Sequence, residues 1–193
     1  MNNINLSVKI ERAISELRRG GKVVISDNNK GISVLLTPSE LIQEDTVETL
    51  SRLSHSRPNI ILSSNRCKAL GIKTNNKPCS ILINKNWTTS NIMSLCLPLS
   101  NQKKPEINGV ITESENSIAS TALLILRQAR LLPAALMSLI SKVPIENIRN
   151  WCFKNNLIHV DIEDIMIYEK VSADSLVMEV KANVPLSYTE NCE

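Results

Sequence analysis

Aromatic side chains are scarce in this chain: two tryptophans, two tyrosines and one phenylalanine make up 3% of 193 residues. Any core must therefore be aliphatic. The stacking platforms that a single-strand nucleic-acid binder needs are missing. Glycine is equally thin at five, with one Gly-Gly step at Gly20-Gly21. That excludes G-x-G-x-x-G and P-loop phosphate cradles. Histidine occurs twice, as His55 and His159. His55 lies in a polar stretch, SRLSHSRP, and reads as a surface residue. His159 lies in a strand and reads as a packed or rim residue. Neither stands in an obvious motif with a second carboxylate. The five cysteines (Cys67, Cys79, Cys96, Cys152 and Cys192) include no C-x-x-C pair. An odd count without such spacing reads as free thiols in a reducing cytosol rather than disulfides or zinc ligands.

Long hydrophobic runs are also absent. The most apolar stretch, Thr121–Ile140, is interrupted by Arg127, Gln128, Arg130 and Pro133. A membrane span needs about 20 mostly apolar residues, so this stretch is a buried helix and strand. The opening MNNINLSVKIERAI lacks the apolar run of a secretory signal, and a cytoplasmic location is expected. Charge of one sign does not dominate either: the net charge is +3 and the pI about 8.6. The densest basic stretch, Arg12, Arg18, Arg19 and Lys22, is broken by Glu11 and Glu16. It reads as a solvated helix face, not a nucleic-acid stripe.

What is present is an ordinary globular balance, 42% hydrophobic and 21% charged, of a length suited to a single domain. Ile10, Ile14 and Leu17 recur at helical spacing over Val8–Arg19, and Gly20-Gly21 stops that helix. Lys22–Ser26 and Ile32–Leu36 read as strands around the turn Asp27-Asn28-Asn29-Lys30-Gly31. A helix is expected over Glu44–Leu53, a buried strand over Asn59–Leu62, a short helix over Ser63–Leu70 and a strand over Cys79–Ile83. After a polar loop at Leu99–Glu106, a strand at Gly109–Thr112 and a helix over Ser117–Arg130 follow. Pro133 breaks that helix, and Ala134–Ile140 reads as a buried strand. Pro144 opens a helix over Ile145–Asn155. Leu157–Val160 is a strand, Asp161 an N-cap for a helix over Ile162–Glu169, and Val177–Ala182 a last strand. The alternation predicts an α/β (α+β) sandwich, a mixed sheet covered by helices, with no internal repeat.

No nucleophile signature surrounds Ser63-Ser64 or Cys67. Lys73 and Lys77 lie in a polar loop and read as solvated. Asp27, at the end of its strand, can be a remnant metal or substrate contact or a turn residue bonding its own backbone; the turn is favoured.

Several stretches together resemble the dihydroxybutanone-phosphate (DHBP) synthase family of riboflavin biosynthesis. Ile10–Asp27, IERAISELRRGGKVVISD, resembles that family's opening helix and strand. Asn59–Gly71, NIILSSNRCKALG, resembles its strand and R-x-x-x-L-G helix. Ser80–Thr89, SILINKNWTT, is similar to the strand leading to a Thr-Thr pair, and Ala122–Leu136, ALLILRQARLLPAAL, to its long helix and L-x-P-A turn. Leu157–Tyr168, LIHVDIEDIMIY, resembles its closing strand and helix. AISELRRG and ARLLPAAL resemble the degenerate N-terminal synthase-like domain of alphaproteobacterial GTP cyclohydrolase II proteins. On that resemblance, residues 1–183 form the synthase-like domain. The tail at 184–193, within VKANVPLSYTENCE, resembles the junction to a cyclohydrolase domain whose zinc-ligand motif this chain does not contain.

The resemblance also locates departures. The family's acid-rich R-E-x-E-G-D loop, which holds magnesium, is replaced by Asp27-Asn28-Asn29-Lys30-Gly31-Ile32, with Ile32 at the final acid. The metal-binding G-H-T-E opening of the long helix becomes Ser117, Ile118, Ala119 and Ser120. Leu139 stands at the glutamate after the P-A-G strand, and Leu124 at the acid within the helix. Thr88 and Thr89 match the Thr-Thr pair near the substrate, without the Asp-Arg that follows it. Apolar residues at former charged sites are expected to fill the emptied pocket, because a buried unpaired acid is costly. The resemblance thus implies no catalytic or metal residues and a residual pocket at Asp27, Thr88 and Thr89. It also implies a homodimer and a GTP cyclohydrolase II domain as partner in cis or trans. Two alternatives stand beside it: an active, magnesium-dependent lyase with acids relocated to Glu113 and Glu115, and a stand-alone small-molecule binding module.

Overall fold

The computed structural model describes residues 3–99, 103–174, 184–186 and 189–192. Helix α1, Asn3–Arg18, buries Leu6, Ile10, Ala13, Ile14 and Leu17 along one stripe. Gly20, at φ +78°, turns the chain out of the helix; a side chain there would pay the left-handed penalty that glycine avoids. Strand β1, Val23–Asp27, is buried along its whole length. A tight hairpin joins it to β2, Ile32–Pro38, in a register running from Val23 opposite Leu36 to Asp27 opposite Ile32.

The remaining strands are β3 (Asn59–Leu62), β4 (Cys79–Leu82), β5 (Val110–Thr112), β6 (Ala134–Leu139) and β7 (Ile158–Asp161). They form one seven-stranded sheet in the order β5-β4-β3-β6-β2-β1-β7. Only the β1–β7 pair is parallel; every other neighbour is antiparallel.

Helices cover both faces. Beneath α1, α5 (Ile118–Gln128) and α7 (Ile162–Asp174) lies a cluster that includes Val23, Ile25, Ile61 and Ala135 from the sheet. The opposite cluster takes Val24, Leu35, Ile60 and Leu136 from the sheet. It is covered by α2 (Thr46–Ser54), α3 (Ser64–Ala69), α4 (Thr89–Cys96) and α6 (Ile148–Lys154). Alternate residues of one strand thus feed two aliphatic cores. Each fully buried Ile or Leu contributes about 1.5–3 kcal/mol by leaving water. Separately, β8 (Val184–Leu186) and β9 (Thr189–Cys192) pair as a short antiparallel ribbon.

The mixed α/β sheet covered by helices agrees with the sequence-based expectation. Three local features differ. Helix α4 was not anticipated, although its Ile92, Leu95 and Cys96 are buried at helical spacing. The expected Ile145–Asn155 helix opens as a 3-10 turn, Ile145–Asn147, and becomes α-helical from Ile148 to Lys154. Asp161 closes β7, and its carboxylate reaches Lys9 and Asn28. The strand expected at Val177–Ala182 lies outside the described residues. Among the described residues, no helix is long and apolar enough to cross a membrane.

Candidate functional site

The β1–β2 turn is where the resemblance places an acid-rich, metal-holding loop. Its polar side chains are engaged one by one. Asp27 Oδ1 accepts the backbone N–H of Lys30 at 3.1 Å, and Asp27 Oδ2 lies 3.2 Å from the Lys30 ammonium. This is the self-bonding turn favoured from the sequence. Asn28 Nδ2 donates to Asp161 at 3.0 Å, and Asn29 Nδ2 to Glu163 at 2.9 Å. Lys30 Nζ also donates to the carbonyl of Asn116 at 3.3 Å, one residue before the N-cap of α5. The turn is therefore laced to the entrances of both α5 and α7.

The α5 entrance holds no carboxylate or imidazole at the G-H-T-E positions. Ser117 caps the helix by accepting the Ser120 N–H at 3.1 Å. Ile118 and Ala119 belong to the core beneath, at 7% and 0% exposure. Ser120 donates to the Ser114 carbonyl at 2.7 Å. Ile32 and Leu124 pack against the same core. Leu139, in contrast, is 47% exposed at the end of β6. Ile32, Ile118 and Leu124 thus lie on one core, whereas the expectation of an apolar filling needs correcting at Leu139. Its position at the strand terminus leaves it open to solvent, with no core side of the sheet left to cover it.

Magnesium requires several hard oxygens in near-octahedral array. At this turn the donor set is one carboxylate, Asp27, and a lysine ammonium already neutralises it. A bound cation would have to displace a like charge. The residues present do not fit the ion. Among the described residues, no group of three or more His, Cys, Asp or Glu side chains could hold a metal.

Thr88 and Thr89 stand elsewhere. Thr88 is the N-cap of α4, its hydroxyl accepting the Asn91 N–H while Asn91 Oδ1 accepts the Thr88 N–H at 3.0 Å. This reciprocal box satisfies two orphan donors. With Glu44, Val47 and Trp87 both threonines line a cavity of about 340 Å³, on the face of the second core, where Val47 and Trp87 pack. Asp27 shares strand parity with Val23 and Ile25, on the face of the first core, where its partner Ile32 packs. The sheet separates the two sets. Glu113 accepts a short hydrogen bond from Ser80. Glu115 lines a different cavity, of about 410 Å³, with Ser64, Ser120, Leu124, Arg127 and Met166.

One polar network was not anticipated. Ser33 Oγ, Ser26 Oγ and His159 Nε2 are linked at 2.8 Å per step, and Asp161 lies 3.6 Å from the same ring nitrogen. Lys9 bridges Asp161 and Asp164 at 3.0 and 2.7 Å, and Arg149 approaches Asp161 at 3.5 Å. Burial holds the His159 imidazole below its usual 6.5, against the pull of Asp161. Burial pushes the Asp161 carboxyl up, yet the Lys9 ammonium, His159 and the Asn28 amide together hold it below 3.8. Serine, histidine and aspartate meet here without forming a nucleophilic relay. The acid and the serine address one nitrogen rather than opposite sides of the ring, and Ser26 is fully buried. The pairing of β7 with β1 sets His159 beside Ser26, across a parallel pair in which Val24 faces His159.

No profile of a known family matches the chain, and no curated protein matches it. Solved structures do. The 3,4-dihydroxy-2-butanone 4-phosphate synthase of Candida albicans is similar at TM-score 0.67 and 17% identity, over 83% of this chain and 96% of that one. A two-domain synthase from A. baumannii is similar at TM-score 0.68 and 13% identity, over 93% of this chain and 63% of that one. A synthase in complex with two magnesium ions is similar at TM-score 0.66 and 14% identity, over 86% and 99%. At such identities the likeness is one of fold, and the fold is that of DHBP synthase.

Proposed function

We propose that this chain is a non-catalytic copy of the DHBP-synthase fold, acting as an interaction domain in a riboflavin-biosynthesis protein. It pairs as a homodimer and supports the folding or dimerisation of a GTP cyclohydrolase II domain, in cis beyond residue 193 or in trans. The observation that carries the non-catalytic reading is the β1–β2 turn. Every polar side chain in it is committed to a protein partner, and its one carboxylate is paired with Lys30. The apolar packing of Ile32 and Ile118 supports the same reading, because catalysis on a sugar phosphate needs charge at the reacting carbon, not aliphatic surface. The A. baumannii synthase is itself a two-domain protein, so this fold occurs joined to a second domain.

The deciding experiment incubates the purified chain with ribulose 5-phosphate and magnesium. The expected result is no 3,4-dihydroxy-2-butanone 4-phosphate above the protein-free background. Product above background, abolished by Glu113→Ala with Glu115→Ala, would establish the lyase alternative instead. Light scattering separately tests the assembly: a strict monomer at micromolar concentration overturns the homodimer.

A further inference from the structure

Cys67, in α3, and Cys79, the first residue of β4, are both fully buried and place their sulfurs 2.8 Å apart. That separation is inside ordinary non-bonded contact, about 3.5–4.0 Å even between carbons. It is also too short for a shared metal, since two thiolates on one zinc, at about 2.3 Å each in a tetrahedron, stand roughly 3.7 Å apart. The geometry suits one outcome, a sulfur–sulfur bond of about 2.05 Å. The intervening segment, 68–78, already folds back on itself. The Ile72 N–H donates to the Cys67 carbonyl at 2.9 Å, and the Thr74 hydroxyl to the Lys77 carbonyl at 2.6 Å. Gly71, Asn75 and Asn76 take left-handed backbone angles that tighten it. The two ends thus need little rearrangement to be joined.

We propose that Cys67 and Cys79 are an oxidation site, a thiol pair that a hydroperoxide converts to an intramolecular disulfide. One sulfur of the pair attacks the peroxide; its S–O bond forms, the O–O bond breaks, and the departing oxygen leaves as water. The other sulfur then attacks that sulfenic acid. The S–S bond forms, the S–O bond breaks, and the hydroxyl leaves with the second thiol's proton as a second water. Two thiols lose two hydrogens and one hydrogen peroxide becomes two waters.

The hydrogen bond between the sulfurs lowers the Cys67 thiol despite burial and, with burial and nearby Glu113, raises that of Cys79. Gly71, Lys73, Asn75, Asn76 and Lys77 are exposed, so local opening of this segment admits the peroxide. Ser63, Ser64 and Asn65 ahead of Cys67, and Pro78 ahead of Cys79, line the 410 Å³ cavity. The bond would fix two sides of its rim. This inference is independent of the proposed partner and of catalytic status.

The test treats the reduced full chain with hydrogen peroxide, blocks remaining thiols with N-ethylmaleimide under denaturing conditions, and maps the peptides by mass spectrometry. The expected result is one linked peptide pair joining Cys67 to Cys79, with the other cysteines alkylated. It should be accompanied by a rise in Tm of roughly 5 °C or more, reversed by dithiothreitol. Cys67→Ser and Cys79→Ser should each lose both the link and the Tm rise. Recovery of both residues as alkylated thiols, or pairing spread over Cys96, Cys152 and Cys192, overturns the proposal. The wild-type map decides this even where a serine variant fails to fold.

Discussion

Replacing Lys9 with methionine should destabilise the fold strongly at neutral pH and much less in mild acid. The ammonium lies 3.0 Å from Asp161 and 2.7 Å from Asp164, with side-chain exposures of 28%, 9% and 12%. Methionine keeps the length and removes the charge. Two largely buried carboxylates then face each other, with Arg149, 75% exposed and 3.5 Å away, as the remaining cation. Breaking a buried ion pair by removing one partner costs about 3–5 kcal/mol. Partial exposure of Lys9 and the surviving Arg149 bring the expected cost to about 3 kcal/mol. For a chain of this size that lowers Tm by roughly 6–12 °C.

The pH dependence follows from the sign of the shifts. In the wild type the Asp161 carboxyl is held below 3.8, so its contribution is present above that value and lost as pH falls through the lowered value. Without Lys9 the largest lowering influence is gone while burial still pushes the carboxyl up, so it rises and protonation relieves the repulsion. The difference between the two proteins therefore shrinks as the solution is acidified. His159 is kept neutral below 6.5, so both proteins lose stability as pH drops below that value and the unfolded chain takes up a proton first. Lys9 contributes to that lowering, and its removal moves the difference in the same direction. The assay is urea unfolding followed by tryptophan fluorescence, since Trp87 and Trp151 both pack on the second core. A difference under about 0.5 kcal/mol at neutral pH, or one that does not shrink by about pH 4.5, refutes the reasoning.

Arg66→Ala should cost about 2–3 kcal/mol, because the guanidinium donates to the carbonyls of Leu95, Ser94 and Leu97 at 2.6, 3.0 and 2.9 Å. Arg66→Lys, which cannot span three carbonyls, should recover less than half of the lost Tm. Thr88→Ala should cost about 1 kcal/mol by uncapping α4, read as faster amide exchange at Asn91. Introducing acids at Leu139 and Ile118 should separate the two positions. Leu139→Glu, at a 47% exposed site, should stay within about 0.5 kcal/mol, while Ile118→Glu, at 7%, should cost about 3 kcal/mol or more in thermal unfolding.

The aliphatic framework was legible because burial on both faces leaves an uninterrupted mark. Asn59–Leu62 is a run of apolar residues after one asparagine, and its bounds match the observed strand. Helix α1 showed its stripe of Ile10, Ile14 and Leu17 and its glycine stop. Helix α4 carried a comparable signal in Thr88, Asn91, Ile92 and Leu95. That signal is short, and the resemblance drew the Thr-Thr pair toward a residual pocket instead of a cap. A capping threonine and a substrate threonine look alike until the third residue of the following turn is weighed. The network at Ser26, Ser33, His159 and Asp161 was not legible for another reason: it joins β1, β2 and β7, and only the sheet order makes β7 the neighbour of β1.

Two aliphatic positions show the same limit from the energetic side. Ile118 and Leu139 look equivalent in the sequence. One is at the start of a helix laid on the core and the other at a strand end that runs out from under its cover, so only Ile118 gains by burial. Lys30 is the more informative residue. It places a cation beside the carboxylate of Asp27 and ties the turn to the α5 entrance through Asn116. The turn pairs Asp27, Asn28, Asn29 and Lys30 with protein groups, and a turn closed in that way needs no bound ion to be stable.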